Sequence, residues 1–213
     1  MLMNVQENAK EIIKIVLTGG PCAGKTTAMK KIREYFTAIG YAVVFIPETA
    51  TELISNGISP WTMKSSDEYQ KCQIRLQIEK ERIICDAALQ LLNSSKVLVV
   101  CDRGVIDNKA YMTDGEYAVT LSELGFDEKT LRESYNAVFH LETAAKGACE
   151  CYTLEGNDAR TETPEQAMHI DDRLLDVWKE HPYHRIIDNS RGFEEKVKLL
   201  IFEISEFLKQ HQN

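Results

Sequence analysis

Long hydrophobic runs are missing from this 213-residue chain. Its longest, such as Val97-Leu98-Val99-Val100-Cys101, fall far short of the roughly 20 apolar residues that a membrane-spanning helix needs, so no membrane span is expected. An excess of positive charge is also missing. Lys and Arg number 25 against 33 Asp and Glu, and the formal charge of −8 argues against a general nucleic-acid binder. Met1–Lys10 is polar and holds no continuous apolar block, so no export signal is read and a cytoplasmic location is expected. The six cysteines, at 22, 72, 85, 101, 149 and 151, make no disulfide framework. Only Cys149-x-Cys151 forms a close pair, without the further ligands a metal site would require nearby; in a reducing compartment the cysteines read as small hydrophobes. Repeats, low-complexity tracts and Gly/Pro/Ser-rich linkers are absent too. One domain over residues 1–213 is expected, with its oligomeric state left open.

What is present begins with an ordinary soluble composition, 44% hydrophobic and 27% charged. Within it, Gly19-Gly20-Pro21-Cys22-Ala23-Gly24-Lys25-Thr26-Thr27 fits the pattern G-x-x-x-x-G-K-[ST]. Glycines let such a loop turn tightly enough to aim several N–H groups at one polyphosphate. Lys25 is expected to reach the outer phosphates and the Thr26 hydroxyl to ligate Mg²⁺. The context suits the motif: Ile12–Leu17 reads as a buried strand entering the loop, and Ala28, Met29, Ile32, Tyr35, Phe36 and Ile39 recur at helical spacing after it. The expected ligands are therefore ATP or GTP with Mg²⁺.

Four further apolar runs follow at Ala42–Ile46, Val97–Cys101, Ala137–Leu141 and Arg185–Ile187, separated by helical patterns. Near-continuous apolar strands are those covered on both faces. The expected fold class is α/β, a three-layer P-loop nucleoside triphosphate hydrolase fold with a mostly parallel five-stranded sheet, kinase-like with a lid. Helices are expected at Lys25–Ile39, from about Asp67 to Leu92, from Pro164 to about Lys179, and over the stretch carrying Phe193, Val197, Leu200, Ile201, Ile204, Phe207 and Leu208. Two irregular stretches remain, Asn56–Ser66 and Thr143–Thr163, and the second is read as the lid.

Chemistry-bearing residues gather where strands end. Asp102 closes the third run in the Walker B manner and is expected to support Mg²⁺. Arg103 follows it where many hydrolytic ATPases place a second acid; an arginine clamps a phosphate or polar substrate instead, which points to phosphoryl transfer. Glu48 ends the second run, and a carboxylate there could accept or orient an acceptor hydroxyl, or merely begin the helix Thr49–Ile54. Arg160 in the lid is read as closing over the phosphates, the alternative being a surface pairing with Glu155, Asp158 or Glu162. Arg173 has the same two readings, with Asp171, Asp172 and Asp176 nearby. Asn189 could bond the nucleotide base, or belong to a simple turn Asp188-Asn189-Ser190. Trp61, Tyr69, Tyr111 and Trp178 are core residues or base-stacking rings. His140 and His169 are read as structural.

Taken together, Gly19–Thr27, Pro47-Glu48-Thr49-Ala50, Asp102-Arg103-Gly104 with Asp107, and the stretch from Trp178 to Asn189 resemble the P-loop group joining the ribosylnicotinamide kinase domain of NadR to the TRPL-translocation-defect proteins. The resemblance implies a nucleoside- or nucleotide-kinase-like fold holding ATP or GTP at the loop. It spans kinases and nucleotide-dependent binding proteins alike. Two functions follow as expectations: Mg²⁺-dependent phosphoryl transfer from a nucleoside triphosphate to a small-molecule hydroxyl, or a nucleotide-controlled switch with little catalysis. For a Ras-like switch the guanine-reading Asn-Lys-x-Asp element is lacking, since Asn108-Lys109 continues into Ala110-Tyr111.

Overall fold

Five apolar runs pair side by side in the computed structural model of the protein, which describes residues 11–92, 96–147 and 163–211. The strands are β1 (Glu11–Thr18), β2 (Ala42–Ile46), β3 (Lys96–Asp102), β4 (Ala137–Leu141) and β5 (His184–Ile187). They form one sheet in the order β2-β3-β1-β4-β5, and each adjacent pair is parallel. The sheet expected to be mostly parallel is parallel throughout.

Side chains alternate across this sheet, so one strand feeds two cores. Ile13, Ile15 and Leu17 of β1 join Leu98 and Val100 of β3 and Phe139 and Leu141 of β4 on one face. There they meet α1 (Lys25–Ala38) through Ala28, Ile32 and Phe36, and α7 (Gly192–Gln210) through Val197, Leu200, Ile204 and Phe207. On the opposite face Val16, Val97, Val99, Cys101 and Val138 pack under α3 (Ser66–Leu89) and α6 (Pro164–Trp178), which contribute Ile74 and Trp178. Helix, sheet and helix make three layers, the expected α/β class. Two of the expected α1 face residues, Tyr35 and Ile39, stay largely exposed, 43% and 54%.

Four further elements lie among the described residues: α2 (Thr49–Ser55), a 3₁₀ turn (Val105–Tyr111), α4 (Asp114–Leu124) and α5 (Glu128–Glu133). The last three were not anticipated. Thr113-x-x-Glu116 is a capping box that starts α4, and the Asp127 side chain caps α5. Gly115 inside α4 and the absence of a clean apolar stripe hide both helices from a periodicity reading.

Register decides where chemistry gathers. Leu17 sits opposite Asp102, Thr18 opposite His140, and Ile46 opposite Cys101. The carboxyl ends of β1, β2, β3 and β4 therefore finish at one rim. The loops starting at Gly19, Pro47, Arg103 and Glu142 leave from that rim, the usual place for a ligand in an open parallel sheet. The stretch read as a lid lies largely outside the described residues, and with it Arg160, Cys149 and Cys151.

Candidate active site

Backbone constraint fixes the loop between β1 and α1. Gly19 and Gly24 have φ of +137° and +86°. A Cβ on Gly19 would collide with the Leu141 backbone carbonyl, and one on Gly24 with the Phe193 ring, so a larger residue is excluded at Gly19 and fits at Gly24 only if that ring moves aside. Cys22 also adopts a positive φ, 57°. Three of the loop carbonyls are taken by donors from outside: Thr143 Oγ1 donates to Pro21 O, Ala144 N to Cys22 O at 3.4 Å, and Lys196 Nζ to Ala23 O at 3.2 Å. Holding these three carbonyls outward favours turning the amides that follow Pro21 to the concave side, at the N-terminus of α1. Lys25 is buried and its Nζ donates to Gly19 O at 2.9 Å and Gly20 O at 3.3 Å, within the loop's own curve.

Asp171 of α6 holds the loop from behind. Its Oδ1 accepts from Gly20 N at 2.7 Å and Thr143 N at 3.2 Å and lies 3.0 Å from His140 Nε2, while its Oδ2 accepts from Lys146 Nζ at 2.9 Å. The acid that the sequence offered only as a partner for Arg173 is thus a foundation of the phosphate loop, and His140 has a partner after all. Arg173 instead donates to Met112 O at 2.6 Å and Lys109 O at 3.3 Å. Lys196, a further unanticipated residue, also donates to Asn189 Oδ1 at 2.7 Å and to Glu142 O at 2.5 Å. Burial pulls its ammonium down to about 8, against the nearby carboxylates of Glu142, Asp171 and Asp188. Asn189 Nδ2 donates to Thr143 O at 2.8 Å and Lys146 O at 2.7 Å, tying the turn after β5 to the loop after β4. The neighbouring Asp188 closes its own turn by accepting from Ser190 N at 3.0 Å.

At the ends of β2 and β3 the charges interlock. Arg103, held at a φ of +69°, donates through Nε to Glu48 Oε1, and its Nη1 lies 3.7 Å from Asp107 Oδ1. Glu48 Oε2 accepts from Thr51 Oγ1 at 2.7 Å. Burial alone would raise the Glu48 pKa, but the Arg103 guanidinium and the Lys25 ammonium overcome it and hold the carboxyl down at about 2. Asp102 goes the other way: burial and the Glu48 charge push it up to about 6 against the pull of Lys25 and Arg103. Asp107 is buried, and burial raises it despite Arg103; Thr18 Oγ1, Gly104 N (2.6 Å) and Trp178 Nε1 (3.3 Å) all donate to it. Trp178 is core, packed so close to Gly104 that a Cβ there would meet its ring at 2.6 Å.

Two cavities meet at Glu48. One, about 310 Å³, brings together Lys25, Thr26, Glu48, Thr51, Glu52 and Asp102. The other, about 220 Å³, lies between α2, α3 and the 3₁₀ turn, and Trp61, Tyr69 and Tyr111 are among its walls. The first suits a hydrated divalent cation. Asp102 Oδ1 is buried with no hydrogen-bond partner, and the Thr26 side chain shares its cleft. Among the described residues no group of three or more His, Cys, Asp or Glu could hold a metal alone. A single carboxylate plus one hydroxyl is the donor set Mg²⁺ uses when phosphate oxygens and water complete its shell.

The AAA-domain family model matches residues 14–196. The chain belongs to the AAA-domain family. That family is one of P-loop NTPases, which accords with the parallel sheet and the glycine loop, and it makes this AAA domain a nucleotide-binding unit. A stretch of 80 residues is also 38% identical to ATP-dependent 6-phosphofructokinase of Wolinella succinogenes, covering 37% of this chain and 25% of that protein. The chain spans about a quarter of the length of that curated relative, too little to carry its activity across. No helix of the AAA domain, among the described residues, is long and apolar enough to cross a membrane.

Proposed function

We propose that this AAA domain, reaching over residues 1–213 as one unit, is a Mg²⁺-dependent small-molecule kinase that uses ATP, or GTP, and works in the cytoplasm. The observation that supports this reading best is the junction of two cavities at Glu48, one beside the phosphate loop and one beside it with its own polar wall. The resemblance to the ribosylnicotinamide kinase domain of NadR makes a nucleoside or a ribosylnicotinamide-like alcohol the first acceptor to test.

In this reading the loop amides that follow Pro21, up to Thr27, and Lys25 hold the β- and γ-phosphates. Thr26 and Asp102 hold Mg²⁺, which when bound offsets charge on the phosphate oxygens. The acceptor oxygen bonds to the γ-phosphorus as the bond to the β,γ-bridging oxygen breaks, and the nucleoside diphosphate leaves. A carboxylate held near a pKa of about 2 is a weak base. Glu48 therefore acts chiefly by accepting the acceptor's hydrogen bond and aligning it, and it takes the proton only in passing to water. Arg103 positions Glu48 and adds positive charge beside the transferred group. Arg160, outside the described residues, would add charge from the lid.

The test is turnover with pooled nucleosides, followed by Glu48→Gln. The variant should lose about 10²-fold or more in kcat, the usual cost of a misaligned reactant, while keeping its affinity for a non-hydrolysable ATP analogue within about threefold. Unchanged kcat removes Glu48 from the reaction. Nucleotide binding with no acceptor-dependent turnover in any pool leaves a switch in place of a kinase.

A further inference from the structure

Lysine is seldom fully buried, yet Lys196 of α7 is only 3% exposed. Its Nζ donates to three oxygens, none of them charged: Ala23 O at 3.2 Å, Glu142 O at 2.5 Å and Asn189 Oδ1 at 2.7 Å. The third is an oxygen by necessity. Asn189 Nδ2 donates to the backbone carbonyls of Thr143 and Lys146, which only accept, so the Asn189 amide cannot be reversed. Three acceptors need three N–H groups. An ammonium has three, whereas the neutral amine has two and turns a lone pair towards the oxygen left over. Such a buried meeting of acceptors is costly, so the surroundings of Lys196 fit only its charged form.

The three acceptors belong to three separate segments, and one of them is the phosphate loop. Ala23 O and Gly24 N–H lie on one planar peptide unit and point in opposite directions. Holding that oxygen against Lys196 turns the Gly24 N–H towards the concave side of the loop. Gly24, at a φ of +86°, has the backbone freedom to let the unit rotate, so an outside donor is needed to keep it set. The carboxylates that favour the ammonium are Glu142 after β4, Asp171 on α6 and Asp188 after β5. Asp171 is shared with His140 and Lys146, and Asp188 with Arg191. In the loop Lys25 is turned to Gly19 O and Gly20 O, and on α7 Glu195 pairs with Lys198. Burial outweighs the three carboxylates and brings the ammonium from 10.5 to about 8. Its proton comes within reach of mildly alkaline conditions.

We propose that Lys196 is a positioning residue of the nucleotide site, whose ammonium holds the Ala23–Gly24 peptide in its phosphate-binding orientation and whose deprotonation releases it. Nucleotide affinity then falls as pH rises, because only the protonated side chain keeps the loop set. The converse holds by linkage: a bound polyphosphate keeps the loop set and so holds the proton on Lys196 more tightly. This dependence goes beyond the kinase reading. It needs only a nucleotide at the loop and would hold for a kinase and a switch alike.

The test is calorimetric titration of the full chain with Mg²⁺ and ADP or GDP, whichever binds more tightly, from about pH 7.5 to about pH 9.5, where the nucleotide phosphates stay ionised. Affinity of the parent should fall about fivefold across that range. Lys196→Met keeps much of the side chain's length and has no proton to lose. Its affinity should start about tenfold weaker and then vary by less than about twofold. A flat profile in the parent, or a fall of the same size in the variant, overturns the proposal. Should the variant fail to fold, the parent decides alone. Calorimetry at about pH 8.5 in two buffers of different ionisation enthalpy should show uptake of roughly half a proton per nucleotide bound, and zero uptake or release overturns the proposal. Failure of both nucleotides to bind at every pH would instead refute the nucleotide site itself, whereas binding that ignores pH refutes only the role of Lys196.

Discussion

Replacing Asp171 with asparagine should loosen the phosphate loop and cost about 2 kcal/mol of stability at neutral pH. The Asp171 carboxylate has no exposed surface and serves four groups: Gly20 N–H, Thr143 N–H, His140 and Lys146. Burial alone would raise its pKa, yet the hydrogen bond and charge of His140, with Lys146 and Gly20 N–H behind them, bring it from 3.8 to about 2. The drop from 3.8 to about 2, at roughly 1.36 kcal/mol per pH unit, gives the magnitude. The sign follows from a folded pKa that lies below the unfolded one. The contribution is complete above about pH 4, falls by about half near pH 3, and is gone below about pH 2. Asparagine can still accept from Gly20 and Thr143, but its other end then turns an N–H₂ towards the Lys146 ammonium. Urea unfolding of parent and Asp171→Asn at pH 7 and at pH 3 measures both quantities. A gap below about 0.5 kcal/mol at pH 7, or one of equal size at both pH values, would refute the assignment of Asp171 as an ionised anchor.

Other substitutions test the loop more directly. Lys25→Ala should weaken binding of an ATP analogue by about tenfold or more in calorimetry, because it removes a phosphate-facing cation; affinity within a factor of two would place the triphosphate elsewhere. Gly24→Ala adds a methyl group that meets the Phe193 ring at a φ of +86°. It should lower the melting temperature by about 10 °C, from overpacking added to backbone strain. Gly57→Ala is the control: the same φ of +86° with nothing within 4 Å, so strain acts alone and the loss should be about 3 °C. Equal losses would mean that the Phe193 contact does not constrain the loop.

The elements legible in the sequence were those written by local rules. Apolar runs such as Val97–Cys101 could only be doubly covered strands, and the glycine spacing of residues 19–24 left one backbone path, so fold and phosphate loop were both readable. The foundations of the loop were not. Asp171 looked like one of several acids near Arg173, because nothing in chain order says that α6 passes behind Gly20. Lys196 sits on an otherwise amphipathic helix, and its burial against Ala23 O and Asn189 depends on how α7 docks. The glutamines of α3 did carry a signal that went unused. Residues 70, 73 and 77 share one helical face, and an uncharged polar face turned inwards is unusual enough to suggest a ligand. Register supplied the rest, since only the pairing of Leu17 with Asp102 and of Ile46 with Cys101 brings Lys25, Glu48 and Asp102 to one rim.

The choice between a kinase and a nucleotide-controlled switch turns on what lies beyond the phosphates. A switch needs a loop that feels the γ-phosphate and a surface that moves with it; a second concave site adjoining the first gives it no advantage. Thr49 Oγ1, Tyr69 OH, Gln70 Oε1, Gln73 Oε1 and Arg103 Nη1 line the second cavity, each buried and without a hydrogen-bond partner in the protein. A ligand that partners them gains affinity there, and in the kinase reading its hydroxyl would reach Glu48, which lines both cavities. Binding energy gathered in one cavity and used at the reacting end of the other is what the kinase reading expects of two substrates, and nothing in a switch calls for it.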